Sequence, residues 1–304
     1  MEKMSSKKSK LDIMGNGLLP RRTLDLYAMN AGDGPRSYVQ NSSYQRGVVD
    51  IAKPIIEDEI ARKLDIKNLS STSPNCIWVA DFGCSTGHNS FPAMQIVTQA
   101  IYQKHMLFSR LSKGELLVLQ RDRKEVCAAY LNQYAKDIEA FLEARAVEMV
   151  SGGLMALLIS GVPASWNPDT EYTLPSDINL LGSCVMDMAK KGRFSEAKVD
   201  SFNLPLYFTT PEQLKTILER SYSFTIERFE ILNNPGKHAL RSVNAHAAFY
   251  RAVIEGPLTN HFGSDIMDEL FDLYMEKLAA SPVFLNPDND KSIVILAVLK
   301  RRSD

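Results

Sequence analysis

Two polar segments hold the residues whose types and spacing could do chemistry. The first reads Ala80-Asp81-Phe82-Gly83-Cys84-Ser85-Thr86-Gly87-His88-Asn89, an acid followed by small residues and closed by an amide. Small residues let the backbone approach a ligand, and an asparagine can hydrogen-bond polar groups at a turn. Such a turn suits a nucleoside; a merely tight structural turn is the alternative. It is not a dinucleotide fingerprint, because no G-x-G-x-x-G can be written over Gly83 and Gly87, which disfavours a nicotinamide oxidoreductase. The second segment, residues 29–45, reads MNAGDGPRSYVQNSSYQ. Glycines flank Asp33, and Tyr38, Ser42 and Gln45 offer an aromatic face, a hydroxyl and an amide where a helix begins. Alone, it reads as a loop and a helix cap. His88 is read as a surface or capping residue, and no Ser-His-Asp or paired-carboxylate set is present, so no catalytic side chain is assigned.

The elements that must position these segments follow from periodicity. Residues 44–64 predict a helix with Val48, Ile51, Ile55, Ile56 and Ile60 on one face, bent or restarted at Pro54. Cys76 to Phe82 is a short apolar run predicting a strand, and Phe91, Met94, Ile96, Val97 and Ile101 predict the helix after it: strand, turn, helix, the opening of a parallel α/β unit. A long helix from Arg123 to Val150 places Cys127, Leu131, Tyr134, Ile138, Phe141 and Leu142 at helical spacing and ends at Gly152 and Gly153. Leu154 to Ile159 is apolar on both faces, the expectation for a central parallel strand. Helices near Asp177–Ala189 and Pro211–Arg220 follow, then a strand Ser223–Leu232, a helical region Ala245–Leu278 and a last strand Ser292–Leu299.

Bulk composition limits the partners. The chain has 304 residues, 45% hydrophobic and 23% charged, with a formal charge of -1, so no net field recruits nucleic acid or an anionic membrane. Charged residues interrupt every apolar run that could span a bilayer, and the N-terminal residues lack a signal-like apolar core. Four cysteines without a C-x-x-C pair fit a reducing compartment, which predicts a cytoplasmic protein with a small-molecule partner.

Taken together, M-x-G-G-x-G-x-x-S-Y-x-x-N-S-x-x-Q, with Ala31 for one glycine, followed by A-D-x-G-C-S-x-G-x-N, resembles the signature of the plant SABATH methyltransferases, which include salicylate, jasmonate, farnesoate and theobromine types. The likeness continues through KEVCAAYLNQYAKDIEAFLEARAVEMVSGG, LLGSCVMDMAKKGRFSEAKVDSFNLPLYFTTPEQL and HFGSDIMDELFDLYMEKL, covering Leu26 to Arg301. It implies an α/β fold: a shortened Rossmann-like class I methyltransferase sheet with an α-helical cap. Residues 1–26 would be a flexible tail and 27–304 a single domain, with cap elements within about 164–222 and 240–285. The implied cofactor is S-adenosyl-L-methionine, contacted by Tyr38, Ser42, Gln45, Asp81, Cys84 and Asn89. The implied acceptor is a small carboxylic acid or heteroaromatic molecule, met by Asn30, Gln45 and Ile178. Asn30 falls where some members have a lysine, and Ile178 on a wall where some have a tryptophan. Asp200, Phe202 and Asn203 resemble a magnesium site of some relatives; a capping Asp and a buried Phe are the alternative. A homodimer is compatible with the likeness.

The likeness breaks between Ile101 and Lys124. The family has there a strand ending in F-N-D, a strand leading to G-V-P-G-S-F, and S-S-Y-S-L-x-W-L-S facing the acceptor. This chain reads YQKHMLFSRLSKGELLVLQRDR, too short for two parallel strands whose crossovers each need on the order of a dozen residues. Leu111-Ser112-Lys113 would be a remnant and Gly114 to Gln120 a substitute strand; Gly161-Val162-Pro163 does not replace the lost motif. Two functions follow: a methyltransferase acting on a small acid, or an impaired or inactive homologue that binds ligand or pairs with a full-length relative.

Overall fold

The computed structural model describes residues 29–65, 77, 79–81, 90–105, 124–202, 204, 206–233, 240 and 242–303. The tail, Cys84, His88, Asn89, Asn203 and the readings at 106–123 lie outside the described residues.

Ser37 caps the short α1 (Tyr38–Asn41), its hydroxyl accepting the Gln40 N–H at 3.4 Å, and α2 (Ser43–Lys63) follows. α2 buries Tyr44, Val48 and Ala52 at four-residue spacing, and Glu59 and Ile60 about two turns further on the same face. It is one helix through Pro54, which lies on the exposed side, where solvent can satisfy the carbonyl its missing N–H leaves free. Ile51, expected on the apolar face, is 42% exposed because Ala52 takes its place on the stripe.

α3 (Ser90–His105) packs Ala100 and Ile101 against Ile60 and Leu64, and Ile77 and Val79 join this cluster. The predicted strand at 76–82 is not borne out at its described residues: Ile77, Val79, Ala80 and Asp81 carry no strand pairing. An apolar run reports burial, and α2 and α3 supply that burial without a ladder. α4 (Lys124–Glu148) lays Tyr134, Ile138, Phe141 and the fully buried Leu142 on the sheet. Gly152, at φ +77°, then turns the chain into β1 (Leu154–Gly161).

After β1 come α5 (Leu174–Lys190), α6 (Glu196–Asp200) and α7 (Pro211–Glu219). Thr210 and Gln213 form a reciprocal cap at the head of α7, with bonds of 3.3 and 3.0 Å. β2 (Phe224–Asn233), α8 (Val243–Phe262), α9 (Met267–Ala280), the short α10 (Pro282–Leu285) and β3 (Ile293–Arg301) complete the described order. The helical region expected at 245–278 is divided at Gly263, whose φ of +102° no helix can continue through.

The three strands form a sheet in the order β1-β3-β2, with β1 and β2 both antiparallel to β3. Residues 154–159, expected as a central parallel strand, lie in β1, whose one pairing among the described residues is antiparallel, to β3. The strand buried on both faces is β3. Its Ile293, Ile295, Ala297 and Leu299 enter a cluster with α4 and α7, and its Val294, Leu296 and Val298 enter one with α2, α5, α8 and α9. That alternation is the period-2 pleat with a helical layer on each side, an α/β arrangement. Helices on both faces make any strand doubly apolar, so apolarity did not reveal the direction of pairing. Lys63 meets Glu227 at 2.5 Å and Arg228 meets Asp58 at 2.8 Å, fixing α2 across β2.

Candidate active site

The loop before α1 is docked on α8 by a set of short bonds. Asn30 donates its backbone N–H to the Ala252 carbonyl at 3.0 Å, and its own carbonyl accepts the Tyr38 N–H at 2.8 Å. Its side-chain amide donates to Glu255 Oε2 at 2.7 Å and lies 3.3 and 3.4 Å from the Arg36 and Arg251 carbonyls. Arg251 in turn holds Glu255 at 2.7 Å and Asp268 at 2.6 Å, and Arg36 reaches Asp268 at 2.9 Å. Asn41 closes the loop through the Pro35 and Ser37 carbonyls at 2.9 and 2.7 Å. This framework buries Tyr38 and Ser42 beside the head of α2.

At that head two polar atoms are buried without a hydrogen-bond partner, the Tyr44 hydroxyl and Gln45 Oε1. Tyr44 packs on Phe249 of α8, ring centroids 5.6 Å apart. Burial raises its phenol pKa well above the ordinary tyrosine value, with Asp290 and Asp177 adding in the same direction. Those two acids arrive through the entry to α5. Tyr172 donates its N–H to the Asn289 carbonyl at 2.9 Å and accepts from Lys291 N–H at 2.8 Å, and Leu174 N–H donates to Ser292 Oγ at 2.9 Å. The first turn of α5 is thereby sewn to the segment entering β3.

Asp177 is the centre of the buried network. His246 Nε2 lies 2.6 Å from its Oδ1, and the Tyr250 and Tyr274 hydroxyls donate to it at 3.0 and 3.4 Å. Burial opposes a charged imidazole, yet the Asp177 charge and hydrogen bond outweigh it, and the His246 pKa lies above its ordinary value. Burial pushes the Asp290 carboxyl up to about 6, against the lowering effect of its bonds from Ser292. Ile178, the neighbour of Asp177, packs half-buried against the cluster that contains Tyr44. α8 therefore touches all three segments expected on the acceptor side: Glu255 holds Asn30, Phe249 packs on Tyr44 beside Gln45, and His246 with Tyr250 holds Asp177 beside Ile178.

Among the remaining candidates, Asp81 is half-buried after Val79, and Cys84 and Asn89 fall outside the described residues. The segment compared with a magnesium site shows no ligand set among its described residues. Asp200 is exposed at the end of α6, Phe202 packs its ring 5.2 Å from His261 and 5.1 Å from Phe262, and Asn203 falls outside the described residues. Among the described residues no group of three His, Cys, Asp or Glu side chains could hold a metal. Sequence reading missed Asp177, His246, Tyr250, Tyr274 and Glu255. One signal was available: Asp177 interrupts the buried stripe Leu174, Leu181, Cys184, Val185 and Met188, and an acid on an apolar face needs buried partners.

Helices on both faces of a sheet, with a polar loop docked at a helix head whose buried amide oxygen lacks a partner, make this an α/β protein. A family model described as SAM dependent carboxyl methyltransferase matches residues 25–119 and 109–302. Loganic acid O-methyltransferase of Catharanthus roseus is 30% identical over 355 residues, spanning 92% of this chain and 96% of the relative. Farnesoic acid carboxyl-O-methyltransferase of Arabidopsis thaliana is 30% identical over 326 residues, 83% of this chain and 92% of the relative. The solved structure of loganic acid methyltransferase with SAH superposes with a TM-score of 0.81, covering 91% of this chain and 99% of that one. The chain belongs to the SAM-dependent carboxyl methyltransferase family, the SABATH group. No helix among the described residues is long and apolar enough to cross a membrane.

Proposed function

We propose that this protein transfers a methyl group from S-adenosylmethionine to the carboxylate of a small acid of plant metabolism. The observation that carries the reading is Gln45 Oε1, buried at the head of α2 with no partner. A buried acceptor atom left unpaired costs about 1–3 kcal/mol, which a bound ligand offsets by supplying a donor. A terminal amide suits both ligands the family brings together: its oxygen accepts from an ammonium or a hydroxyl of the cofactor, and its NH₂ donates to an acceptor carboxylate. Tyr38 and Ser42, buried in the same framework, and Asp81 fit the cofactor side; Cys84 and Asn89 complete that set. Ile178 and Asn30 belong to the acceptor side, Ile178 as wall and Asn30 through the loop it anchors. When bound, the cofactor supplies an electrophilic methyl on a sulfonium. The chain's part is to orient the carboxylate through Gln45 and to exclude water, because an ionised carboxylate needs no base. That agrees with the absence of any assigned catalytic side chain.

The reading covers a cytoplasmic protein in which 27–304 act as one unit, supported by the core that α2, α5, α8 and α9 share with the sheet. A second reading, an impaired or inactive homologue that pairs with another copy or relative, has its own support. The family model matches in two pieces that meet over 109–119, and an alignment of 355 residues with a chain of 304 passes over residues this chain lacks. Methyl transfer from labelled cofactor to a panel of small acids tests the proposal. Labelled ester from at least one acid, lost in Gln45→Ala, supports it. No ester from any acid, with S-adenosylhomocysteine binding far weaker than low micromolar by calorimetry, overturns it in favour of the inactive homologue.

A further inference from the structure

We infer that Glu255 is a positioning residue for the ligand-binding loop, and that Asn30 serves this site as the loop's anchor rather than as a group that touches the acceptor. The inference rests on the proposed function for what the loop carries, but its geometry stands apart from it. The Asn30 amide has two hydrogens and three oxygens within reach, Glu255 Oε2 at 2.7 Å and the Arg36 and Arg251 carbonyls at 3.3 and 3.4 Å. Nothing is left on that NH₂ to donate to an incoming carboxylate. Its backbone is committed as well, N–H to Ala252 and carbonyl to the Tyr38 N–H.

The anchor has a built support. Glu255 and Arg251 lie four residues apart on α8, with side chains 15% and 13% exposed, so their contact at 2.7 Å is sheltered from solvent and salt. Arg251 Nε also donates to Glu255 Oε1 at 3.0 Å, which occupies one carboxylate oxygen and turns the other toward Asn30. A charged acceptor makes the Asn30 bond stronger than a neutral one. Arg36 and Arg251 converge on Asp268 of α9 and clamp the loop's far side, though the exposure of Arg36 and Asp268 makes that pair the weaker fastening. A cavity of about 540 Å³ at the end of α4 offers no comparable set of sheltered contacts, and its lining carries no orphaned polar atom.

The chain of consequence is short. Tyr38 starts α1 one bond from Asn30, α1 leads to Ser42, and Ser42 immediately precedes the helix that carries Gln45. Releasing Asn30 frees all three ligand residues together, so a loss at Glu255 must weaken cofactor and acceptor alike.

Hydrogen exchange on the full chain, read at the Asn30 and Tyr38 amides with the β3 amides as an internal control, tests this without requiring turnover. Glu255→Ala is expected to speed exchange at both loop amides by about tenfold while leaving β3 protected. Glu255→Gln, which keeps an oxygen able to accept from Asn30, is expected to retain most of the protection. Asn30→Ala should act in the same direction as Glu255→Ala, and the double variant should fall short of the sum of the two, because both remove the Asn30–Glu255 bond. In calorimetry the two alanine variants should weaken S-adenosylhomocysteine by about the same factor, again about tenfold. Unchanged loop protection in Glu255→Ala, additive effects in the double variant, or an Asn30→Ala whose only defect is a raised KM for the acceptor would each overturn the inference. A wild type that binds no S-adenosylhomocysteine would sink the proposed function alone, since the exchange result still decides the role of Glu255.

Discussion

Replacing Asp177 with alanine tests the buried network at its centre. The carboxylate is 2% exposed and receives His246 at 2.6 Å, Tyr250 at 3.0 Å and Tyr274 at 3.4 Å. Removing it strands a buried imidazole and two buried hydroxyls. Each stranded group costs about 1–3 kcal/mol, and because the three share one partner the costs do not add fully; about 3–5 kcal/mol is expected. Asp177→Asn keeps an acceptor oxygen and should cost about 1–2 kcal/mol. Urea unfolding at fixed pH measures both. The two variants also differ from wild type in pH dependence, with a sign that follows from His246. Its folded pKa is raised, so its stabilisation is present below the unfolded value near 6.5 and is lost as pH rises through the folded value. Asparagine removes the charge responsible, so the gap between wild type and Asp177→Asn should be widest below pH 6 and narrow on going alkaline. An alanine cost under about 1 kcal/mol, or a gap that ignores pH, would refute the network as a stabilising device.

Two further outcomes are expected. Asp290 has a carboxyl pushed from 3.8 up to about 6, so its folded form favours the proton and stability is lost as pH rises from about 4 through about 6. Asp290→Asn should therefore gain on wild type across that window by up to about 3 kcal/mol, and an unchanged difference in chemical-denaturation scans at pH 4 and 7 would contradict it. Gly161 closes β1 against Thr209: an added Cβ would come 2.7 Å from the Thr209 carbonyl and 3.0 Å from Ile295 Cδ1. Gly161→Ala should cost about 1–3 kcal/mol, read as a lower melting temperature, because the nearest atom is backbone and cannot swing aside.

Local pattern carried much of the fold. The stripe Tyr44, Val48, Ile60 marks α2, the spacing of Tyr134, Ile138, Phe141 and Leu142 marks α4, and the runs at 154–161, 224–233 and 293–301 are strands near their expected bounds. These follow from periodicities that a single segment contains. Family membership was legible for the same reason, since the motif from Met29 to Gln45 is contiguous. The antiparallel direction of β1 was not, because strand direction is set by which partner arrives and apolarity is the same either way.

What the sequence alone determined, then, is most of the helices, the strands at 154–161, 224–233 and 293–301, and the family. What tertiary structure decided is how the loop before α1 is held. Asn30 meets Glu255 across 225 positions of sequence, and Asp177 meets His246, Tyr250 and Tyr274 across 69, 73 and 97. No local period reports such pairs. They exist because α8 lies between the head of α2 and the head of α5, so that one helix sets the register of Asn30, Gln45 and Ile178 together.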